Sequence, residues 1–125
     1  MKNPNLRTKT YNFANTIVKI CYYLINEKKE WILSKQLLRS GTSVGACIRE
    51  AQFAESTKDF IHKLTISQKE INETIYWLEL LKDNYFISNE TFIRLNQNAV
   101  EIRKILTSSI ITLKKKNNQE NTHNS

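Results

Sequence analysis

"LLRSGTSVGACIREA" spans residues 37–51 and holds both glycines, Gly41 and Gly45, of a 125-residue chain. Glycine usually punctuates a turn, yet Leu37, Val44, Ile48 and Ala51 keep helical spacing through both, with Gly41 filling the step between Leu37 and Val44. The segment therefore reads as one unbroken helix. Two interior glycines cost a helix roughly 0.8 to 1 kcal/mol each relative to alanine, so packing must offset them. Ser40, Cys47, Ala51 and Ala54 are small as well. A helix lined this way lets a neighbour approach closely, and Phe60, Tyr76 and Trp77 are the bulky partners expected to fill the space. The other reading, a break into two short helices, has no further turn residue to support it.

The same rhythm recurs along the chain. Phe13, Ile17, Ile20 and Leu24 form one stripe; Phe60, Leu64, Ser67, Ile71, Ile75 and Leu78 form another; Phe92, Leu95, Ala99, Ile102, Leu106, Ile110 and Leu113 form the last. One proline and two glycines leave almost no turn punctuation, and no strand-like alternation competes. Asn26 to Glu30 is a polar break, Ser56 with Asp59 has the spacing of a capping box, Asp83 and Asn84 close the third stripe, and Ser88 is placed to cap the fourth. The sequence predicts an all-α protein with helices near 8–26, 31–55, 57–83 and 88–115. Short connections make neighbours antiparallel, which gives an up-down-up-down four-helix bundle over residues 8–116. Residues 1–7 are expected to be a flexible N-terminus, and the polar tail 117–125 is expected to be disordered.

Apolar residues make up 40% of the chain and aromatics 10%, enough to fill the core of one domain. No apolar run approaches the roughly 20 residues that cross a bilayer, and "MKNPNLRTKTYNFA" lacks the apolar core of a secretion signal. These features predict a cytoplasmic protein with no membrane partner. Cys21 and Cys47 are expected to be buried free thiols, since the assigned helices put them roughly 15 Å apart in height.

Residues 37–81, "LLRSGTSVGACIREAQFAESTKDFIHKLTISQKEINETIYWLELL", carry a specific resemblance. Arg39, Ser40, Gly41, Ser43, Gly45 and Glu50-Ala51, then Ser56, Asp59, Phe60, Lys63, Leu64, Lys69, Glu70, Glu73, Thr74, Tyr76, Trp77 and Leu78, resemble a bacterial four-helix bundle family. That family includes the proteins encoded in intervening sequences of 23S rRNA genes and the accessory variability-determinant protein of diversity-generating retroelements. The resemblance implies a ring-like homopentamer, basic on part of its surface, with RNA or DNA and a reverse transcriptase or other protein as partners. It implies neither an enzyme nor membership of the ribosome. Cys47 stands where the family usually has asparagine, which removes any polar contact made by that side chain.

The charge of +7 is unevenly spread: residues 1–47 carry 8 Lys/Arg against 2 acids, residues 48–83 carry 5 against 7, and residues 84–125 carry 6 against 3. In the expected bundle the first and fourth helices are neighbours, so Lys9, Lys19, Arg94, Arg103, Lys104, Lys114, Lys115 and Lys116 are the candidate nucleic-acid-binding residues. Arg103 and Lys114, eleven residues apart, return to within about 20° of each other. Such a surface attracts phosphate backbones without reading sequence. An equally physical reading makes Lys114 to Lys116 a solvated helix end and the net charge an aid to solubility.

The third helix has an acidic cast and more apolar residues than one stripe needs. Ile66, Tyr76 and Trp77, with Glu73 and with Arg39 and Arg49 of another subunit, form the candidate oligomer interface; overfilling of the core is the alternative. Catalytic and metal motifs are lacking. His62 has no cysteine or carboxylate at zinc-like spacing, and "GTSVG" lacks the wider glycine spacing and following lysine of a phosphate loop. No catalytic residue, metal ligand or cofactor is expected. Two functions remain, an oligomeric nucleic-acid-binding module and a protein-interaction scaffold that uses its second and third helices.

Overall fold

The computed structural model of the protein describes the backbone of residues 4–124 and the side chains of residues 5–120. Four helices follow in order: α1 Pro4–Asn26, α2 Ile32–Ala51, α3 Thr57–Asp83 and α4 Asn89–Asn124, with no strand among the described residues. They form an all-α four-helix bundle, up-down-up-down, in which α2 packs between α1 and α3, α3 between α2 and α4, and the α1–α4 seam is the thinnest. Ile17, Leu24, Leu37, Val44, Ile71, Leu78, Ile102 and Leu106 are fully enclosed at its centre. No helix of the described residues is long and apolar enough to cross a membrane.

The glycine segment is continuous helix through both sites, and neither glycine has a positive φ. Their role is close approach, although the partner differs from the one expected. A Cβ on Gly41 would lie 2.9 Å from Ile17 Cγ2, and one on Gly45 would lie 3.3 Å from the Thr10 carbonyl oxygen. Both glycines therefore face α1, whereas Phe60, Tyr76 and Trp77 belong to α3. Helix α2 meets α3 through a different set of small residues. The Thr74 and Ser40 hydroxyls are 2.9 Å apart, and the Ser67 hydroxyl donates to the Val44 carbonyl at 2.9 Å. These short polar links satisfy groups buried at the seam, so the α2–α3 contact is close without a cost in unpaired polar atoms. No buried side-chain nitrogen or oxygen among the described residues lacks a partner.

Three boundaries differ from the sequence reading. Helix α1 starts at Pro4, so residues 4–7 are helix and not a flexible arm; residues 1–3 lie outside the described set. Proline fits a first helical turn, and Leu6, one turn before Thr10 and two before Phe13, extends the buried stripe. Helix α2 stops at Ala51 instead of 55. Gln52, Phe53 and Ala54 donate to carbonyls three residues back, and Ser56 must turn extended to cap α3. Helix α4 runs on to Asn124, so the segment expected to be a disordered tail has helical backbone where described. It contains no proline or glycine to stop the helix.

The caps at Ser56 and Ser88 fall where expected: the Ser56 hydroxyl accepts the Asp59 N–H at 3.0 Å, and the Ser88 hydroxyl accepts the Thr91 N–H at 3.1 Å. The cap of α2 is an unexpected one. Trp31 occupies its N-cap position without a side-chain bond, and the buried Glu30 carboxylate accepts the N–H groups of Ile32, Leu33 and Ser34 and the Ser34 hydroxyl, all within 3.1 Å. Burial by itself raises the pKa of this carboxyl. The donors from Leu33, Ser34 and Ile32 outweigh burial and hold it below the usual carboxylate range. The turns that follow α1 and α3 each hold a residue at positive φ, Lys29 at 55° and Tyr85 at 66°, the geometry that glycine commonly supplies.

Candidate nucleic-acid interface

The basic residues of α1 and α4 divide by the direction in which the helix geometry points them. Core-facing Leu95, Ile102 and Leu106 fix the inner side of α4. At about 100° per residue, Arg103 turns toward α3, Arg94 and Lys116 toward α1, and Lys104 and Lys115 outward. The structure agrees at the two residues with partners. Arg103 donates to Asn72 Oδ1 of α3 at 3.2 Å, and on the opposite flank Lys9 of α1 makes an ion pair with Glu101 of α4 at 3.0 Å.

The eight candidate residues therefore do not form a single patch. Lys9 is partly neutralised at the α1–α4 seam and Arg103 is drawn toward α3. Lys19, Arg94, Lys104, Lys114, Lys115 and Lys116 are exposed and make no ion pair among the described residues. Arg103 with Lys114, and Lys104 with Lys115, make two rows along the outer side of α4, each pair within about 20°. An open groove of about 400 Å³ lies beside them, lined by Arg103, Lys104, Thr107, Ser108, Ile111 and Thr112. Cations flanked by hydroxyl groups along a convex rod suit a phosphate backbone, which asks for charge and hydrogen-bond donors and not for an enclosing pocket.

The residues expected at an oligomer interface are organised within one chain. Arg39 reaches Glu70 and Glu73 of its own α3, at 3.4 Å to Glu70, and Glu73 also accepts the Trp77 indole N–H at 2.9 Å. Antiparallel α2 and α3 bring these side chains together within the single chain. Arg49 lies elsewhere, its guanidinium 5.1 Å from the centre of the Tyr11 ring on α1. Ile66 is half-buried, while Tyr76 is exposed with its ring edge-on to Trp77 at 5.0 Å. Ile61 of α3 is buried in the core.

Both cysteines are free and buried. Burial, and to a lesser degree Glu30, pushes the Cys21 thiol up to about 12. Burial also raises Cys47, with Glu50 and Glu70 adding to the effect. Neither thiol is poised as a nucleophile. Among the described residues no cluster of three His, Cys, Asp or Glu side chains is arranged to hold a metal ion.

Comparison with known proteins sets this geometry in context. The family described as 23S rRNA-intervening sequence protein matches over residues 2–108. A crystal structure of a protein of unknown function from the S23 ribosomal protein family of Bacteroides thetaiotaomicron VPI-5482 is 50% identical. It superposes with a TM-score of 0.83, covering 84% of this chain and 97% of its own. No curated protein matches.

Proposed function

The chain belongs to the 23S rRNA-intervening sequence protein family, and from that premise we propose that it is a non-enzymatic, homo-oligomeric accessory module. It binds RNA or DNA backbones electrostatically through the basic faces of α1 and α4. The observation that carries this reading is the set of exposed cations on α4 that make no ion pair among the described residues, namely Arg94, Lys104, Lys114, Lys115 and Lys116, while Arg39 and Lys63 are paired with acids of their own chain. Unneutralised cations release condensed counterions from a polyanion, and repetition around an assembly multiplies weak contacts. Five subunits are the expectation from resemblance, and light scattering measures the number.

Fluorescence anisotropy of labelled RNA and DNA duplexes over a salt series tests the proposal. Affinity is expected to fall steeply with salt. The quadruple variant K104Q/K114Q/K115Q/K116Q is expected to weaken binding across sequences and to flatten the salt slope by about one for each phosphate that is no longer neutralised. Binding indifferent to both salt and the four substitutions overturns it.

A second reading, a protein-interaction scaffold, is favoured by one observation, the exposed Tyr76 ring set edge-on to Trp77. A variant Y76A that abolishes self-association at micromolar concentration supports this surface as the interface. A wild-type monomer under the same conditions removes it.

A further inference from the structure

Helices α1 and α3 end, and α4 begins, at the same end of the bundle. Between them lies a cleft of about 490 Å³ whose lining includes Ile20, Tyr23, Lys28, Lys82, Tyr85 and Phe86. Its volume falls within the range of small-ligand sites. Tyr23 is 45% exposed and Tyr85 is 90% exposed. Lys28 makes no ion pair among the described residues, and Lys82 sits 4.5 Å from the centre of the Phe92 ring while sharing part of its charge with Asp83 at 3.6 Å.

Tyr85 combines the positive-φ turn that closes α3 with an almost fully exposed ring. Its φ of 66° is a conformation in which a side chain is a liability, and glycine or asparagine is the usual occupant. A ring this exposed returns almost no burial for that strain. Strained residues at a cleft rim are often kept for what they contact. Tyrosine rings beside lysines are the combination that holds single-stranded nucleic acid, since every base offers a face for stacking and every phosphate a charge.

We propose that this cleft holds an unpaired nucleotide of a bound strand, its base stacked on Tyr85 or Tyr23 and its phosphate held by Lys28 and Lys82. The proposal rests on the electrostatic reading and deepens it, adding a preference for unpaired over paired nucleic acid that the α4 lysines alone do not give.

The test uses the full chain with oligo(dT) and a blunt DNA duplex matched in phosphate number. Wild type is expected to bind the single strand at least about fivefold more tightly than the duplex, and Y23A/Y85G is expected to lose that preference while keeping its duplex affinity within about twofold. No preference in wild type, or a preference untouched in the variant, overturns the cleft and leaves the electrostatic reading intact. Failure to bind either probe at low salt removes both. A 5-iodouridine strand supplies an independent readout: photocrosslinks at Tyr23 or Tyr85 support the site, and crosslinks confined to residues 104–116 of α4 overturn it.

Discussion

Ile17 of α1 occupies the space above Gly41 of α2 so closely that an added methyl group would lie 2.9 Å from its Cγ2 atom. Ile17 is completely buried and has no room to retreat. G41A gains roughly 1 kcal/mol of helix propensity but overpacks the seam by about 1 to 3 kcal/mol, so a net loss of about 1 kcal/mol is expected in urea unfolding. In an I17A background, which removes both clashing atoms, the same substitution is expected to become stabilising. A coupling energy near zero in that double-mutant cycle contradicts the contact.

Gly45 gives a softer case. The contact there is 3.3 Å to the Thr10 backbone carbonyl, tight but not prohibitive. Propensity gain and seam displacement are of similar size, and G45A is expected to change stability by less than about 0.5 kcal/mol.

Glu30 holds three amide donors of α2 in a buried position, so E30A is expected to cost about 2 kcal/mol and E30Q somewhat less. Because its folded pKa is depressed, the stabilisation is present above the unfolded value near 4.5 and disappears as pH falls through the lower folded value. Thermal melts of wild type are expected to drop across that acid window, with E30Q showing a flatter dependence there.

Lys29 and Tyr85 both carry a side chain at positive φ. K29G and Y85G are each expected to raise Tm by a few degrees, about 1 kcal/mol of relieved backbone strain. Only Y85G is expected to alter binding of unpaired nucleic acid, which separates the two turns by function.

The thiols are expected to react slowly with Ellman's reagent at pH 8 in the native protein and fully in guanidinium. At that pH a group with a pKa of about 12 is ionised at roughly one part in ten thousand. Since both folded thiol values are raised, their contribution is complete below the unperturbed value of 9.0 and is lost as pH climbs toward the folded values.

The architecture was legible because the apolar stripes are long and uninterrupted, and because Ser56 and Ser88 follow ordinary capping chemistry. The parts that were not legible depend on which residues meet. Glu30 caps α2 from the position before Trp31, a pattern that capping-box spacing does not pick out. Leu6 joins the α1 stripe through Thr10, a polar residue that interrupts the apolar reading although it is buried. The direction of Gly41 and Gly45 toward α1 is a matter of helix rotation, which periodicity alone fixes only to within a flank. The acids at Glu101, Glu70 and Glu73 are visible in sequence, but their neutralisation of Lys9 and Arg39 emerges only when the helices are docked.

Helix α4 places its N-terminal turn at the cleft and Lys114 some 25 residues further on, a distance of about 38 Å at helical rise. A strand of only a few nucleotides can occupy one end of this rod at a time, whereas a longer one bridges both. Affinity plotted against oligonucleotide length is therefore expected to rise in a step and not smoothly, with α4 acting as a molecular ruler whose graduation is its own length.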